Sequence, residues 1–238
     1  VKAFRDAPDL LAGAFVAGDE GSVRRAAQSL ARGGDPALPV AVLGSPVEAL
    51  GMPPRCIPVL QVRAPAGSLP LGVVSGEAGR AAGEAVQWAA RAALRGEVSA
   101  LVTAPLHKES LAAAGFAFPG HTELLQAEAA AHAGVAASQM PVRMMLANDE
   151  LRTVLVSIHM SLREAIAAVT FEGVLQTLRI AHRALSAALG HAPRIGVAGL
   201  NPHAGEGGLF GTEERDVIAP AIAAACAGGI GARGPYAP

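Results

Sequence analysis

Residues 197–214 read V-A-G-L-N-P-H-A-G-E-G-G-L-F-G-T-E-E, a pattern that indicates a strand leading into a loop and then a helix. The apolar, strand-like run ends at Asn201, and the next eleven residues contain four glycines and one histidine. Glycine allows backbone conformations that a side chain forbids and lets peptide N–H groups approach a ligand. Thr212 is predicted to cap the helix, whose first turn carries Glu213 and Glu214. The same pattern is also typical of an ordinary glycine-rich turn. Motifs elsewhere in the chain therefore decide between a ligand-binding loop and an ordinary turn.

The composition indicates an aliphatic core. Of the 238 residues, 51% are apolar but only 3% are aromatic, so the core must consist mainly of Ala, Val, Leu and Ile. Alanine-rich helices packed closely on a sheet fit this composition. The formal net charge is −1 and there is no run of Lys or Arg. A nucleic-acid partner is therefore not expected.

The sequence also bears on the compartment. The longest stretch without Asp, Glu, Lys or Arg runs over 217–232, is interrupted by Pro220 and several glycines, and is too short to cross a membrane. The opening V-K-A-F-R-D lacks the features of a secretory signal. Cys56 and Cys226 are far apart and have no C-x-x-C partner. These features predict a cytoplasmic protein without a membrane segment and with two buried, reduced thiols.

Strand-like runs alternate with helical spacing along the chain. Strands are predicted at 14–19, 36–43, 57–62, 99–105 and 194–200, and a hairpin at 144–146 and 153–158. Helices are predicted at 1–12, 20–32, 77–95, 109–114, 122–132, 170–189 and 212–225, with a short helix capped by Ser161. The continuous apolar run at 99–105 is typical of a strand buried on both faces of a parallel sheet. The alternation predicts an α/β fold with a doubly wound parallel sheet and a smaller mixed sheet.

Unusual polar residues follow three of these predicted strands. They are Thr103 with His107 and Lys108, then His159, then Asn201 with His203. Ligands bind at this edge of open parallel sheets because loops and helix N-termini converge there. The imidazoles of His159 and His203 could supply two ligands to Zn²⁺ or a similar ion, which needs a third ligand and leaves a position open for substrate. Taken singly, each histidine is more simply interpreted as a hydrogen-bonded structural residue.

Two further groups suit an anionic ligand. Lys108 could bind a phosphate or carboxylate, or move a proton if its pKa were lowered. His121 and Thr122 follow Gly120 at a predicted helix N-terminus, which suits a phosphate ester. The alternatives are a solvated lysine and an ordinary N-cap at Thr122. The sequence has no G-x-x-x-x-G-K-[ST] and no G-x-G-x-x-G after a strand, so a dinucleotide would not use the usual fingerprint.

Four stretches occur in a specific order. They are T-A-P-L-H-K at 103–108, G-H-T-E at 120–123, a strand-like run ending at His159 with S-L-R-E after it, and G-L-N-P-H-A-G-E-G-G-L-F-G-T-E-E at 199–214. In order and approximate spacing this set resembles the PdxA-type 4-hydroxythreonine-4-phosphate dehydrogenases over essentially the whole chain. The resemblance implies a two-domain α/β fold like that of the isocitrate and isopropylmalate dehydrogenases, with parallel and mixed sheets. It also implies a homodimer that binds a divalent metal (Zn²⁺, Mg²⁺ or Co²⁺) and NAD or NADP.

The resemblance further implies roles for individual residues. His121 and Thr122 would bind the substrate, and His159 and His203 would ligate the metal. Lys108 lies in a matching motif, which implies a role in acid/base chemistry or anion binding. No nucleotide-binding residue can be assigned, because the family's nucleotide site lies largely in a segment that this sequence does not contain.

The sequence departs from the family at its two ends. Members normally carry G-D-P-A-G-I-G-P-E just before the equivalent of Val1 and continue past the equivalent of Pro238 to a Y-H-D-Q-G motif. That later region supplies a third metal histidine, and the metal site is completed across the dimer interface. Residues 1–238 are therefore expected to form one catalytic region that is truncated at both ends.

The function implied by the resemblance is a step of pyridoxal phosphate (vitamin B6) biosynthesis. A phosphorylated 3-hydroxy amino acid, 4-phosphooxy-L-threonine, would be oxidised by hydride transfer to NAD and then decarboxylated to 3-amino-2-oxopropyl phosphate. One alternative within the family is the oxidation of D-erythronate or D-threonate 4-phosphate. A metal-dependent hydrolase that uses the same two histidines is a further alternative, and a non-catalytic module that binds a phosphorylated ligand is a third.

Overall fold

The computed structural model describes residues 1–31 and 36–237, and the chain divides into two compact units, Val1–Pro141 and Val142–Pro238. The predicted end of the first long helix, at Arg32, lies outside the described residues. Within the described ranges, no helix is both long enough and apolar enough to cross a lipid bilayer.

A three-stranded parallel sheet forms the centre of the first unit. Its strands are β1 (Val16–Gly18), β2 (Val40–Leu43) and β3 (Ile57–Gln61), in the spatial order β1-β3-β2. On the central strand, Val59 pairs with Val16 on one side and with Val42 on the other. Ile57 and Val59 are both fully buried, so this strand is the core of the unit. The strands predicted at 14–19, 36–43 and 57–62 are thus confirmed.

Helices cover this sheet. The chain starts with α1 (Lys2–Asp6), and a short 3₁₀ turn follows at Pro8–Leu11 because proline cannot continue the hydrogen-bonding of a helix. The single predicted helix over 1–12 is therefore two pieces. Helix α2 (Glu20–Ser29) begins where the Asp19 carboxylate accepts a hydrogen bond from the Ser22 N–H at 2.7 Å. A buried cluster joins these elements to β3: Phe4, Ala27, Ile57 and Val59.

Three helices form the other layer of the first unit. They are α3 (Gly76–Leu94), α4 (Lys108–Ala113) and α5 (His121–Ala133). Glycines let α3 approach its neighbours closely, since a Cβ at Gly79 would collide with the Ser110 carbonyl of α4 and one at Gly83 with the Phe116 ring after α4. Trp88 on α3 packs edge-on against Phe15, with ring centroids 6.1 Å apart, so it has the packing role expected of it.

The predicted strand at 99–105 does not form. Residues 100–107 have no regular secondary structure, and Val102 is 94% exposed. An apolar run makes a strand only where a neighbouring strand accepts and donates its backbone hydrogen bonds. Among the described residues no strand pairs with this segment, so its strand propensity is not sufficient to form a strand.

The second unit contains two small sheets and three helices. Its elements are β4 (Met145–Ala147), β5 (Arg152–Val154), α6 (Leu162–Ala167), α7 (Phe171–Leu189), β6 (Ile195–Ala198), a π-helical turn (Glu214–Ile218), α8 (Ala219–Ala227) and β7 (Ala232–Tyr236). Strands β4 and β5 form the predicted antiparallel hairpin. At its turn, the Asn148 side-chain oxygen accepts hydrogen bonds from the N–H groups of Glu150 and Leu151.

The core of the second unit lies between α7, α8 and the β6–β7 pair. Thr170 caps α7 as predicted, accepting a hydrogen bond from the Gly173 N–H at 3.1 Å. The buried cluster consists of Val174, Leu175, Leu178, Ile218, Ala221, Ile222, Ala225, Ile230 and Ala232. Because β6 runs into this core, the residues that follow Ala198 start from a fixed position.

The structure differs from the sequence-based expectations in three further respects. Strand β7 is parallel to β6 but was not predicted, because Gly234 and Pro235 argue against a strand unless a partner is present. Cys226 is exposed rather than buried, and its thiol donates to the Ala232 carbonyl at 3.2 Å. The α/β class with parallel sheets is confirmed. However, the described strands form three separate small sheets rather than one doubly wound sheet.

Candidate functional site

Lys108 is the first residue of α4, one position after the N-cap. His107 is that cap, and its Nδ1 accepts a hydrogen bond from the Ser110 N–H at 3.4 Å. The Lys108 side chain is exposed and forms no ion pair with any residue in the described part of the chain. Its ammonium group is therefore open to solution at this helix start.

The N-terminus of α5 presents the two predicted substrate-binding residues. Its N-cap is Gly120, whose extended backbone offers no side chain to the first helical N–H groups. Thr122 is the second residue of the helix, so its prediction as the cap is wrong by two positions. His121 is half-buried, and its Nε2 is buried without a hydrogen-bond partner among the described residues. An unpaired polar atom of this kind costs free energy unless something binds it.

His159 lies in the second unit, in a bend after the hairpin. The predicted strand at 153–158 ends at Val154 because its partner β4 begins only at Met145, so His159 is five residues beyond the strand rather than at its end. His159 is exposed and adopts a left-handed backbone conformation with φ 54°. Two residues later, Ser161 forms a capping box with Glu164 and starts α6 as predicted.

His203 lies in the loop that follows β6. Five consecutive residues, from His203 to Gly207, have positive φ between 44° and 80°, which makes this segment a left-handed turn. Three of the five are not glycine: His203, Ala204 and Glu206. A left-handed conformation costs such residues about 1–2 kcal/mol each. The His203 side chain is exposed, and its ring centroid is 6.1 Å from that of Phe210.

The loop is attached to the next helix by a buried carboxylate. Glu214, only 4% exposed, accepts hydrogen bonds from the backbone N–H groups of Leu200 at 2.7 Å and Asn201 at 2.6 Å. Its second oxygen accepts from the Asn201 side-chain amide at 2.9 Å. Burial by itself would raise the pKa of Glu214, but hydrogen bonds from the Asn201 side chain and from backbone N–H groups outweigh burial and lower it.

The sequence-based interpretation missed this contact. It assigned Glu213 and Glu214 to the first turn of a helix, where acidic residues favour the positive end of the dipole. The prediction that Thr212 caps this helix is wrong by one position, because the N-cap is Glu213 and the π-helical turn begins at Glu214. The available signal was an acidic residue placed shortly after a loop that contains Asn201 and four glycines, which are residues that permit close backbone approach.

The predicted metal ligands suit part of a metal site. Within the described ranges, neither the His159 ring nor the His203 ring takes part in a hydrogen bond with another residue, so their nitrogens can act as donors to a cation such as Zn²⁺. No group of three or more His, Cys, Asp or Glu side chains able to hold one ion occurs among the described residues. Ligation by His159 and His203 therefore stays a prediction. Lys108, His121 and Thr122 lie in the first unit, and the two histidines lie in the second.

Together these features define an α/β protein with small parallel sheets, in which the His203 loop follows parallel strand β6 and His159 follows an antiparallel hairpin. A family model described as "Pyridoxal phosphate biosynthetic protein PdxA" matches residues 11–238. The chain therefore belongs to the PdxA family.

Individual relatives and solved structures agree with this family. The chain is 52% identical over 166 residues to 4-hydroxythreonine-4-phosphate dehydrogenase of Beijerinckia indica, covering 70% of this chain and 47% of the relative. It is 40% identical over 222 residues to D-threonate 4-phosphate dehydrogenase of Bordetella bronchiseptica, covering 93% and 60%. The crystal structure of 4-hydroxythreonine-4-phosphate dehydrogenase from Klebsiella pneumoniae matches with a TM-score of 0.82 and 36% identity, covering 95% and 66%. The chain spans about half the length of the curated relatives it matches.

Proposed function

We propose that this chain supplies metal- and substrate-binding loops of a dehydrogenase that oxidises and decarboxylates 4-phosphooxy-L-threonine to 3-amino-2-oxopropyl phosphate in vitamin B6 biosynthesis. The observation that carries the proposal is the family match over residues 11–238, which includes all four motif stretches. The named activity of the Beijerinckia indica relative, at 52% identity, supports this reaction in particular.

The first unit contributes the groups that bind the phosphorylated substrate. The N-terminus of α5 has no side-chain cap at Gly120, so its backbone N–H groups are available to an anion. The buried and unpaired Nε2 of His121 gives a second donor or acceptor at the same place, and Thr122 adds a hydroxyl group. Binding energy from the remote phosphate would orient the reacting carbon. Lys108, with its free ammonium group, is proposed as an acid/base or anion-binding residue.

The second unit contributes His159 and His203 as two metal ligands. Both rings are exposed and form no hydrogen bond with another described residue, so a nitrogen of each ring is open to a cation. A bound divalent ion (Zn²⁺, Mg²⁺ or Co²⁺) would lower the pKa of the substrate hydroxyl and stabilise negative charge during decarboxylation, while NAD or NADP accepts the hydride. The left-handed turn holds His203 in one backbone conformation before any ligand arrives.

A second reaction within the family is the oxidation of D-threonate or D-erythronate 4-phosphate. The Bordetella bronchiseptica relative named D-threonate 4-phosphate dehydrogenase favours it, because the match covers 93% of this chain at 40% identity. The two substrates share the phosphate and the hydroxyl group to be oxidised. They differ in the amino group of the phosphooxythreonine, so the same loops serve either reaction.

The assembly and location of the enzyme are part of the proposal. We place the reaction in a cytoplasmic homodimer whose metal site is completed across the interface, within a two-domain fold like that of isocitrate and isopropylmalate dehydrogenases. Support for the assembly comes from membership of the family, whose model matches residues 11–238, and the two free cysteines, Cys56 and Cys226, suit a reducing compartment.

One assay separates these activities. The full-length protein is incubated with NAD, a divalent metal and either 4-phosphooxy-L-threonine, D-threonate 4-phosphate or D-erythronate 4-phosphate, and NADH absorbance is followed. The proposal expects the highest kcat/KM with 4-phosphooxy-L-threonine. A higher value with a sugar acid phosphate would assign the second reaction instead. Ligand binding without NADH formation from any substrate would contradict both and indicate a binding module.

A further inference from the structure

The left-handed turn that carries His203 needs support from outside itself. Its backbone hydrogen bonds join residues only three to five positions apart, such as Phe210 N–H to the Gly205 carbonyl at 3.2 Å and Ala204 N–H to the Asn201 carbonyl at 3.1 Å. They do not connect the turn to a distant part of the unit. Because His203, Ala204 and Glu206 all have positive φ, relaxation to ordinary conformations is favoured unless the ends of the turn are fixed. The exposed His203 ring provides little packing of its own.

The Glu214 carboxylate fixes the start of this turn. Its two oxygens accept three hydrogen bonds from Leu200 and Asn201, which lie in the segment between β6 and the turn. Asn201 is held a second time, because its side-chain amide also donates to Glu213 at 2.8 Å. Charge-assisted hydrogen bonds are roughly twice as strong as neutral ones, so Glu214 is the strongest described link between the turn and the helix that follows.

The glycines of the loop allow the carboxylate to come this close. A Cβ on Gly205 would lie 2.8 Å from Glu214 Oε2, and a Cβ on Gly199 would lie 3.1 Å from Oε1. Each carboxylate oxygen therefore lies close to the loop backbone at one of these two glycines. A side chain at either position would push the carboxylate and the turn apart, so the glycines and Glu214 act as one unit.

We propose that Glu214 is a positioning residue for His203: its buried carboxylate, with Asn201 as a bridge, holds the left-handed turn in the conformation in which the His203 imidazole binds a metal. This inference rests on the proposed function, because it concerns the metal-binding role of His203. Glu214 would not touch the metal or the substrate. It would set the affinity of the site in advance, as residues behind metal ligands commonly do.

Binding of Co²⁺ alone to the full-length protein tests the proposal. Affinity and the visible absorption spectrum are measured for the wild type and for Glu214→Gln, Asn201→Ala, His203→Ala and Glu128→Gln, at a temperature at which thermal unfolding shows each to be folded. Glu128 is the matched control, since it is also a buried carboxylate with several hydrogen bonds but lies in the first unit.

The expected result is graded. Glu214→Gln weakens Co²⁺ binding by roughly 10- to 100-fold and changes the spectrum, as expected for a residue behind a ligand. Asn201→Ala weakens it by roughly 3- to 10-fold, in keeping with the loss of single hydrogen bonds. Glu128→Gln lowers the unfolding temperature but leaves Co²⁺ affinity and the spectrum unchanged. If Glu214→Gln does not fold, the Co²⁺ affinity of Asn201→Ala still tests whether the contact with Glu214 positions His203.

The two ways of failing differ. If the wild type binds Co²⁺ and His203→Ala loses it, while Glu214→Gln and Asn201→Ala bind as tightly as the wild type, the positioning role is wrong and the proposed function stands. If His203→Ala binds Co²⁺ like the wild type, the metal role of His203 fails, and the positioning role fails with it.

Discussion

Two buried glutamates, one in each unit, differ in the groups that they bind and in what they stabilise. Glu128 on α5 accepts hydrogen bonds from the guanidinium of Arg91 and the amide of Gln87, both on α3, so it fastens one helix to another. Glu214 forms no ion pair among its described partners. It accepts hydrogen bonds instead from backbone and amide N–H groups of the loop that carries His203. The first carboxylate stabilises packing. The second holds a strained segment that carries a candidate metal ligand, His203.

This difference predicts that replacing the Glu214 side chain alters metal binding more than stability, and that replacing the Glu128 side chain does the reverse. The left-handed turn is largely exposed and adds little apolar surface to the core. Its conformation therefore matters chiefly to the position of the His203 side chain. The α3–α5 contact carries no predicted metal ligand, so it matters chiefly to the free energy of unfolding.

The largest expected effect is on His203 itself. His203→Ala should weaken binding of a divalent metal by at least about 100-fold and abolish turnover, since a ligand is lost outright. Its unfolding temperature should change little because the side chain is exposed. Calorimetric metal titration and thermal unfolding measure the two effects. The control is His191→Ala, which removes another exposed histidine of the same unit and should leave metal binding intact. Unchanged metal retention in His203→Ala would refute the assignment.

Next in size is a change at Gly205, where a methyl group would meet Glu214. Gly205→Ala should cost about 2–3 kcal/mol in the free energy of unfolding, from positive φ and from contact with the carboxylate, and should also weaken metal binding. Gly190→Ala is the matched control: its φ of +73° is similar to the +80° of Gly205, but a Cβ there meets nothing within 4 Å. Urea denaturation should show a smaller loss for Gly190→Ala, about 1 kcal/mol. Equal losses would mean that the two close contacts of a Cβ at Gly205, with the Glu214 carboxylate and with the Gly211 carbonyl, contribute nothing.

A smaller effect is expected on the helix side of the comparison. Glu128→Ala should lower the free energy of unfolding by about 1–2 kcal/mol, because it removes hydrogen bonds to a charged group, although Arg91 is 57% exposed and can be solvated again. Metal affinity should be unchanged. Glu97→Ala, which removes an exposed partner of Arg95, should have no measurable effect on urea denaturation. A loss of metal affinity in Glu128→Ala would remove the distinction between the two glutamates.

The smallest expected effect is on pH dependence. Because the folded state lowers the pKa of Glu214, the unfolded state binds more protons as pH falls, and the contribution of this carboxylate to stability is lost. That contribution is fully present above the ordinary glutamate pKa, about 4.3, and disappears as pH falls through the lowered value. The stability gap between wild type and Glu214→Gln should therefore narrow from about pH 7 to below about pH 4 in urea denaturation. A gap that stays constant or widens contradicts the lowered pKa.

The sequence predicted those parts of the fold whose signals are local. The strands that became β1, β2, β3 and β6 had apolar runs with partners close by, and caps such as Ser161 and Thr170 formed as expected. Prediction failed where the outcome depends on a distant partner. The segment 99–105 had the composition of a buried strand but no described strand to pair with, whereas β7 formed despite Gly234 and Pro235 because β6 was beside it.

The candidate site shows the same limit. Residue types and motif order were sufficient to select Lys108, His121, Thr122, His159 and His203. They could not show that His121 Nε2 would be buried and unpaired, or that the turn after Asn201 would be left-handed, since both depend on packing. The role of Glu214 was hidden for the same reason: a carboxylate at a helix start is common, and only the folded loop shows what it binds.

The central claim is that His159 and His203 ligate one divalent cation, and a crystal structure of the full-length protein grown with Co²⁺ tests it most directly. Anomalous scattering locates the metal without reference to the side chains around it. The predicted result is a single strong peak about 2.0–2.2 Å from one imidazole nitrogen of each histidine. A metal bound elsewhere, with either ring outside coordination distance, would contradict it.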